Sequence, residues 1–122
     1  MRKMTMVQKQ KAASTKPKAR ISKADLDAMV EEATVDAHDE SEQVSGLFTM
    51  LQDNLDVPFK TKILGAEVTV ERIDLTSRDQ IVAICARGRR HQAVPILDLP
   101  LPTPRPEGAD WIEAYRHWLG EG

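Results

Sequence analysis

The chain has 122 residues, of which 41% are hydrophobic, and a formal net charge of −2 at pH 7. This length suits one compact domain and is too short for two. It contains no run of eighteen apolar residues and no apolar secretory signal near its N-terminus, so we expect a cytoplasmic protein without a membrane partner.

The small net charge conceals a strong segregation of charge along the chain. Residues 1–23 contain eight Lys or Arg and no acid, whereas residues 24–59 contain ten acids and no Lys or Arg. The remaining residues contain nine of each sign. Such blocks allow the basic segment to attract the acidic one, or each to contact a partner of opposite charge.

Residues 1–21 are predicted to form a disordered basic tail, because they lack apolar periodicity and mix Lys, Gln, Ser and Pro. The tail could contact phosphates, but it has no aromatic residue that could stack on a base, so nucleic acid is not the expected partner. A single folded domain is predicted over residues 22–122.

Two helices are predicted at the start of this domain. The first opens at Ser22 and extends to Ala33, and the second begins near Asp39 and ends around Asn54. Asp39 and Glu42 have the spacing of a capping pair, in which the first side chain accepts from backbone amides and the second reaches back. The buried face of the second helix is formed by apolar residues at helical spacing: Val44, Leu47, Phe48, Leu51 and Leu55.

Four strands are predicted next, within FKTKIL, AEVTVERI, QIVAICA and HQAVPILDL. Their short turns indicate an antiparallel meander, and we expect it to curl into a small barrel. Pro95 predicts either an edge position for the fourth strand or a local break in its pairing. Cys85 is predicted to be a buried apolar side chain. The proline-rich LPLPTPRPEG is a stiff connector. A last helix is predicted near Ala109 to Leu119, docked on an open end of the barrel.

No catalytic pattern is present. His38, His91 and His117 fall on three different predicted elements, and the sequence lacks HExxH, CxxC, GxxxxGK and GxSxG motifs. We therefore expect a protein that is not an enzyme.

The densest acidic cluster consists of Asp36, Asp39, Glu40 and Glu42. Two interpretations compete for it: carboxylates stabilised by a helix N-terminus, or hard oxygen ligands for a divalent cation. An EF-hand does not fit, because Ser41 stands where that loop needs Gly and Leu47 where it needs a bidentate Glu. Asp53 and Asp56 follow at the other end of the helix, in a separate site or in none.

The order of DAHDESEQ, then a helix running into LQDNLDVPFKTKI, then QAVPILDL resembles the CcbP-type calcium-binding proteins, first known from cyanobacteria. The resemblance extends from Glu31 to Leu99. It implies a small α+β protein with two N-terminal helices, a four- to five-stranded antiparallel SH3-like barrel and a C-terminal helix. It also implies a buffer or sensor that binds Ca²⁺ outside any EF-hand.

The resemblance assigns metal ligands residue by residue. The acidic motif of the family matches Asp36, Asp39, Glu40 and Glu42, and Asp53 matches the acid before Asn-Leu. This sequence departs from the family in the loop between the middle strands, where the family carries further acids and this chain has the short DLTSRD. The next turn is the cationic RGRR.

Two alternative functions remain open at this point. One is an SH3-like interaction module whose acidic face receives a basic partner, either another protein or the tail of the same chain. Its binding should be sensitive to salt and independent of calcium. The other is a nucleic-acid accessory protein that acts through the tail and the RGRR turn.

Overall fold

The computed structural model describes residues 21–120, so the predicted tail, apart from Ile21, lies outside the described residues. The elements in chain order are α1 (Lys23–Thr34), α2 (Glu40–Asn54), β1 (Phe59–Ile63), β2 (Ala66–Leu75), β3 (Ile81–Arg87), β4 (Arg90–Pro95), a 3-10 helix (Ile96–Asp98) and α3 (Asp110–Trp118). The predicted class is confirmed: three helices accompany one antiparallel sheet. None of the helices in this range is long and apolar enough to cross a membrane.

The sheet is a meander in the order β1-β2-β3-β4, and each strand pairs antiparallel with the next. It is an open sheet of four strands, so the expected closed barrel is wrong. Closure would need a β1–β4 pairing, and the connector lies along β1 instead: the Thr61 hydroxyl donates to the Pro100 carbonyl oxygen over 2.7 Å. The fourth strand is an edge strand, as Pro95 predicted, and it ends at that proline.

The core lies between the sheet and the helical layer. Its largest fully buried side chains are Leu47, Leu51, Val70, Ile81 and Ile96. The predicted apolar face of α2 is therefore the face that packs on the sheet. Cys85 is also buried in this core, and its burial raises the pKa of the thiol, so it serves as a packed apolar group.

Helix α1 has no fully buried residue and is held against the rest of the protein by its partly buried apolar side chains. The Ala33 carbonyl oxygen of α1 touches α2 at Gly46, where any side chain would overlap that oxygen. Helix α3 adds two polar ties. His117 Nε2 lies 2.6 Å from Asp27 Oδ1 of α1, and the Trp118 indole donates to Gln43 Oε1 of α2 over 2.8 Å.

The connector between the sheet and α3 also supports the end of α2. The Asp56 amide donates to the Glu107 carbonyl oxygen over 2.8 Å. Gly108, with φ +87°, lies so close to the Asn54 carbonyl that a Cβ would overlap it. The acidic α1–α2 junction is thus one end of a helix whose other end is fixed by backbone contacts.

Candidate calcium site

The first turn of α2 is organised by two carboxylates. Asp39 is the N-cap, and its Oδ1 accepts from the Glu42 amide over 2.8 Å. The Glu42 carboxylate reaches back and accepts from the His38 amide over 2.6 Å. The predicted capping pair is confirmed, although the amide that Glu42 accepts from is that of His38. Each carboxylate thus has one oxygen in a capping hydrogen bond and a second oxygen available to a ligand.

A surface cleft of about 400 Å³ lies between the end of α1 and α2, which lines it from Glu42 to Met50. Three of the residues that line it are acidic: Glu32 from the last turn of α1, Asp36 from the linker and Glu42 from α2. All three are exposed, and none of the ion pairs formed among residues 21–120 involves them. We call this group, Glu32, Asp36 and Glu42, the acidic cleft.

The contact at Gly46 explains how the acidic cleft forms. Because Gly46 has no side chain, the C-terminal end of α1 approaches the axis of α2 closely enough to place Glu32 and Glu42 on the same cleft. Gly46 itself is one of the residues lining it. The proximity of the carboxylates is therefore a result of helix packing and not of sequence spacing alone.

Glu32 was not among the residues assigned from the sequence, although one signal pointed to it. It lies in the last turn of α1, where the negative end of the helix dipole disfavours a carboxylate. No basic residue in that turn offsets this charge. An acid held where the helix itself does not favour it is a candidate for another role.

Glu40 lies on a different surface. It lines a cleft with Arg78 and Asp79 of the β2–β3 turn and with Trp118 of α3. Glu40 and Glu42 are two residues apart on α2, which separates their directions by about 200° around the helix axis. The two side chains therefore do not converge.

Asp53 lies in the last turn of α2 and is exposed. It follows Glu42 by eleven residues, or roughly 16 Å along the helix. Asp56 lines a third cleft, beside Arg105 and Glu107. The structure therefore places Asp36 and Glu42 on one cleft, with Asp39 beside Glu42 as the cap, and leaves Glu40 and Asp53 on other surfaces.

The donor chemistry of the acidic cleft suits a hard cation. Calcium takes about six to eight oxygen ligands, which three carboxylates and water can supply. No group of three or more His, Cys, Asp or Glu within residues 21–120 is already arranged at metal-binding distances. The exposed carboxylates would have to rotate inward to surround an ion, as flexible calcium sites allow.

An open antiparallel sheet beneath three helices, with an unneutralised acidic cleft outside any EF-hand, defines a small α+β protein suited to binding divalent cations. The sequence matches the model of a family described as calcium binding, CcbP, over residues 27–119. The chain belongs to this family. Calcium binding is accordingly its function, and Ca²⁺ is its ligand.

Solved structures support the same fold. CcbP from Anabaena is 18% identical in sequence, with a TM-score of 0.67 over 83% of this chain and 94% of that one. A calcium-binding protein in its calcium-binding form is also 18% identical, with a TM-score of 0.64 over 80% of this chain and 90% of that one. A search of curated proteins finds no match.

Proposed function

We propose that the protein binds Ca²⁺ in the acidic cleft, with Glu32, Asp36 and Glu42 as the carboxylate ligands and water completing the shell. The observation that carries this proposal is that three carboxylates without ion-pair partners, from α1, the linker and α2, line one cleft. Clustered carboxylates repel one another, and a divalent cation relieves that repulsion.

Asp39 has a supporting role in this proposal. Its Oδ1 holds the first turn of α2 in place, and its other oxygen can contact the ion directly or through water. Glu40 and Asp53, which the family resemblance also assigned, face other surfaces and contribute only long-range attraction, which salt screens.

The biological role that fits is a non-enzymatic buffer or sensor in the cytoplasm. A buffer binds Ca²⁺ without rearrangement, whereas a sensor couples binding to a movement that a partner recognises. The acidic cleft spans two helices, and α1 has no fully buried residue. An ion that drew Glu32 toward Glu42 would shift α1 against α2, which favours the sensor.

The test is a calcium titration by calorimetry on the full chain, at near-physiological salt with millimolar Mg²⁺ present to suppress diffuse counterion binding. The expected result is saturable heat with a defined stoichiometry. The D36N/E42Q variant should weaken binding by at least tenfold, since calcium affinity follows ligand charge. Gln keeps the acceptor for the His38 amide, so the cap survives while the charge is lost.

The matched control is E40Q/D53N, which also removes two negative charges, in this case from the first and last turns of α2. It should retain binding within about threefold, because its carboxylates contribute only at long range. Equal loss in the two double variants would show that net charge, and not the acidic cleft, holds the ion.

A further inference from the structure

Neither burial nor backbone conformation stabilises Leu64 at its position in the fold. It is 102% exposed, at the first position of the two-residue β1–β2 turn. Both turn residues have positive φ, 51° for Leu64 and 81° for Gly65, as in a type I′ turn. Such positions favour Gly, Asn or Asp, and a bulky side chain meets steric resistance there. Leu64 therefore neither packs on the protein nor suits its backbone.

Cations outnumber acids at this end of the sheet, where Glu67, opposite Lys62, is the one acid among residues 60–69 and 86–91. The exposed ones are Lys60, Lys62, Arg87, Arg89 and Arg90. None of them forms an ion pair with another described residue. Arg87 and Arg90 are directly opposed on the last rung of the β3–β4 hairpin, an arrangement in which like charges repel. We call these five residues together with Leu64 the cationic end.

The strand register places Leu64 beyond the arginines. Thr69 of β2 pairs with Ala86 of β3, so the β3–β4 turn at Gly88 is level with Glu67. The β1–β2 turn continues about two residues further, or roughly 7 Å. An apolar side chain thus projects past a layer of cations by about the depth to which interfacial apolar groups enter a bilayer, roughly 5–10 Å.

We propose that the cationic end docks on an anionic phospholipid surface. Leu64 enters the boundary between headgroups and acyl chains, and the Lys and Arg side chains contact the lipid phosphates. Burial of Leu64 in lipid, and not in the protein, would explain why a leucine is present in this strained turn. This proposal goes beyond calcium binding and departs from the expectation of no membrane partner, which rested on the lack of spanning and secretory segments.

Two features favour lipid over a nucleic acid. No aromatic residue lies on the cationic end, so bases have no platform on which to stack. A phosphate backbone would also leave the projecting leucine in water. Glu40 of α2 is not on this surface, because it adjoins the β2–β3 turn at the opposite end of β3.

The test is partitioning of the full chain onto phosphatidylcholine vesicles containing about one-third phosphatidylserine, with a chelator present to remove calcium bridging. The L64N variant should bind about tenfold more weakly. Its melting temperature should be unchanged or higher, because Asn tolerates positive φ. Weaker vesicle binding without a loss of stability distinguishes a lipid anchor from a structural residue.

A charge series completes the design. The R89Q/R90Q variant should lose about 25-fold in binding, or roughly fivefold for each cation. The control K23Q/R78Q removes the same charge from α1 and from the β2–β3 turn, and should lose less than about threefold in vesicle binding.

Absence of vesicle binding would overturn the proposal. So would L64N binding as the wild type does. Equal binding of the wild type and L64N to a mixed-sequence oligonucleotide, without vesicle binding, would identify a nucleic-acid surface instead.

Discussion

The acidic cleft and the cationic end are built by different means. The cleft depends on tertiary packing, because Gly46 lets α1 approach α2 and so gathers carboxylates that are ten residues apart. The cationic end depends on two tight turns whose glycines have open space around them. The acidic surface is thus maintained by the packing of two helices, and the cationic surface by local turns. We expect changes at one to leave the other intact.

The largest expected effect comes from G46A. The new methyl group would overlap the Ala33 carbonyl oxygen, so α1 must move away. We expect a loss of about 3 kcal/mol in unfolding free energy and weaker calcium binding, since Glu32 moves with α1. Chemical denaturation and calcium calorimetry measure the two effects. S45A, at an exposed neighbouring position, is the control and should change neither by much.

Calcium itself should stabilise the fold through the cleft. At about one hundred times its dissociation constant the ion adds about 2.7 kcal/mol, which raises the melting temperature by about 10 °C for a domain of this size. The D36N/E42Q variant should lose most of this increase and E40Q/D53N should keep it. An increase of the same size in D36N/E42Q would place the ion elsewhere.

At the cationic end, G88A should have a smaller effect. Its φ of +62° disfavours Ala, but a Cβ there meets no atom within 4 Å. The expected loss is about 1 kcal/mol of unfolding free energy. Calcium calorimetry should be unchanged, because Gly88 does not line the acidic cleft. Weaker calcium binding in G88A would contradict the independence of the two surfaces.

The smallest effect is expected from the tie between α1 and α3. The hydrogen bond from His117, and then that from Lys23, hold the pKa of Asp27 below its usual value of 3.8. A carboxyl with a lowered folded-state pKa contributes stability above 3.8 that is lost as the pH falls through the folded-state value. The free energy of unfolding of D27N should therefore decrease less steeply than that of the wild type as the pH falls through that window. Parallel acid-unfolding curves for the two proteins would contradict it.

Local features of the fold followed from the sequence. The Ser22 and Asp39 caps, the apolar face of α2 and the edge position set by Pro95 depend on residues near one another in the chain. The open sheet did not follow, because it depends on whether the connector or β4 covers β1. The end of β4 at Pro95 also differs from the predicted run through ILDL, which turns into a 3-10 helix.

The candidate site divides in the same way. The capping role of Asp39 and Glu42 was readable from their spacing. The convergence of Asp36 and Glu42 with Glu32 was not, since it requires the approach of α1 at Gly46. Spacing placed Glu40 with this group, but the helical turn directs it to another face. The predicted strand FKTKIL includes Leu64. Only the positive φ and the full exposure of Leu64 in the structure show that it lies in the turn after the strand.

The hydrogen bond from Trp118 to Gln43 gives the protein an optical reporter of its own. The indole donates to Gln43, the residue that follows Glu42 in the first turn of α2, and its ring stacks on Tyr115. Its emission depends on whether that hydrogen bond and the surrounding water are retained. Motion at the acidic cleft can therefore be followed by intrinsic fluorescence on unlabelled protein, on the millisecond scale of stopped-flow mixing, with W111F isolating the signal of Trp118.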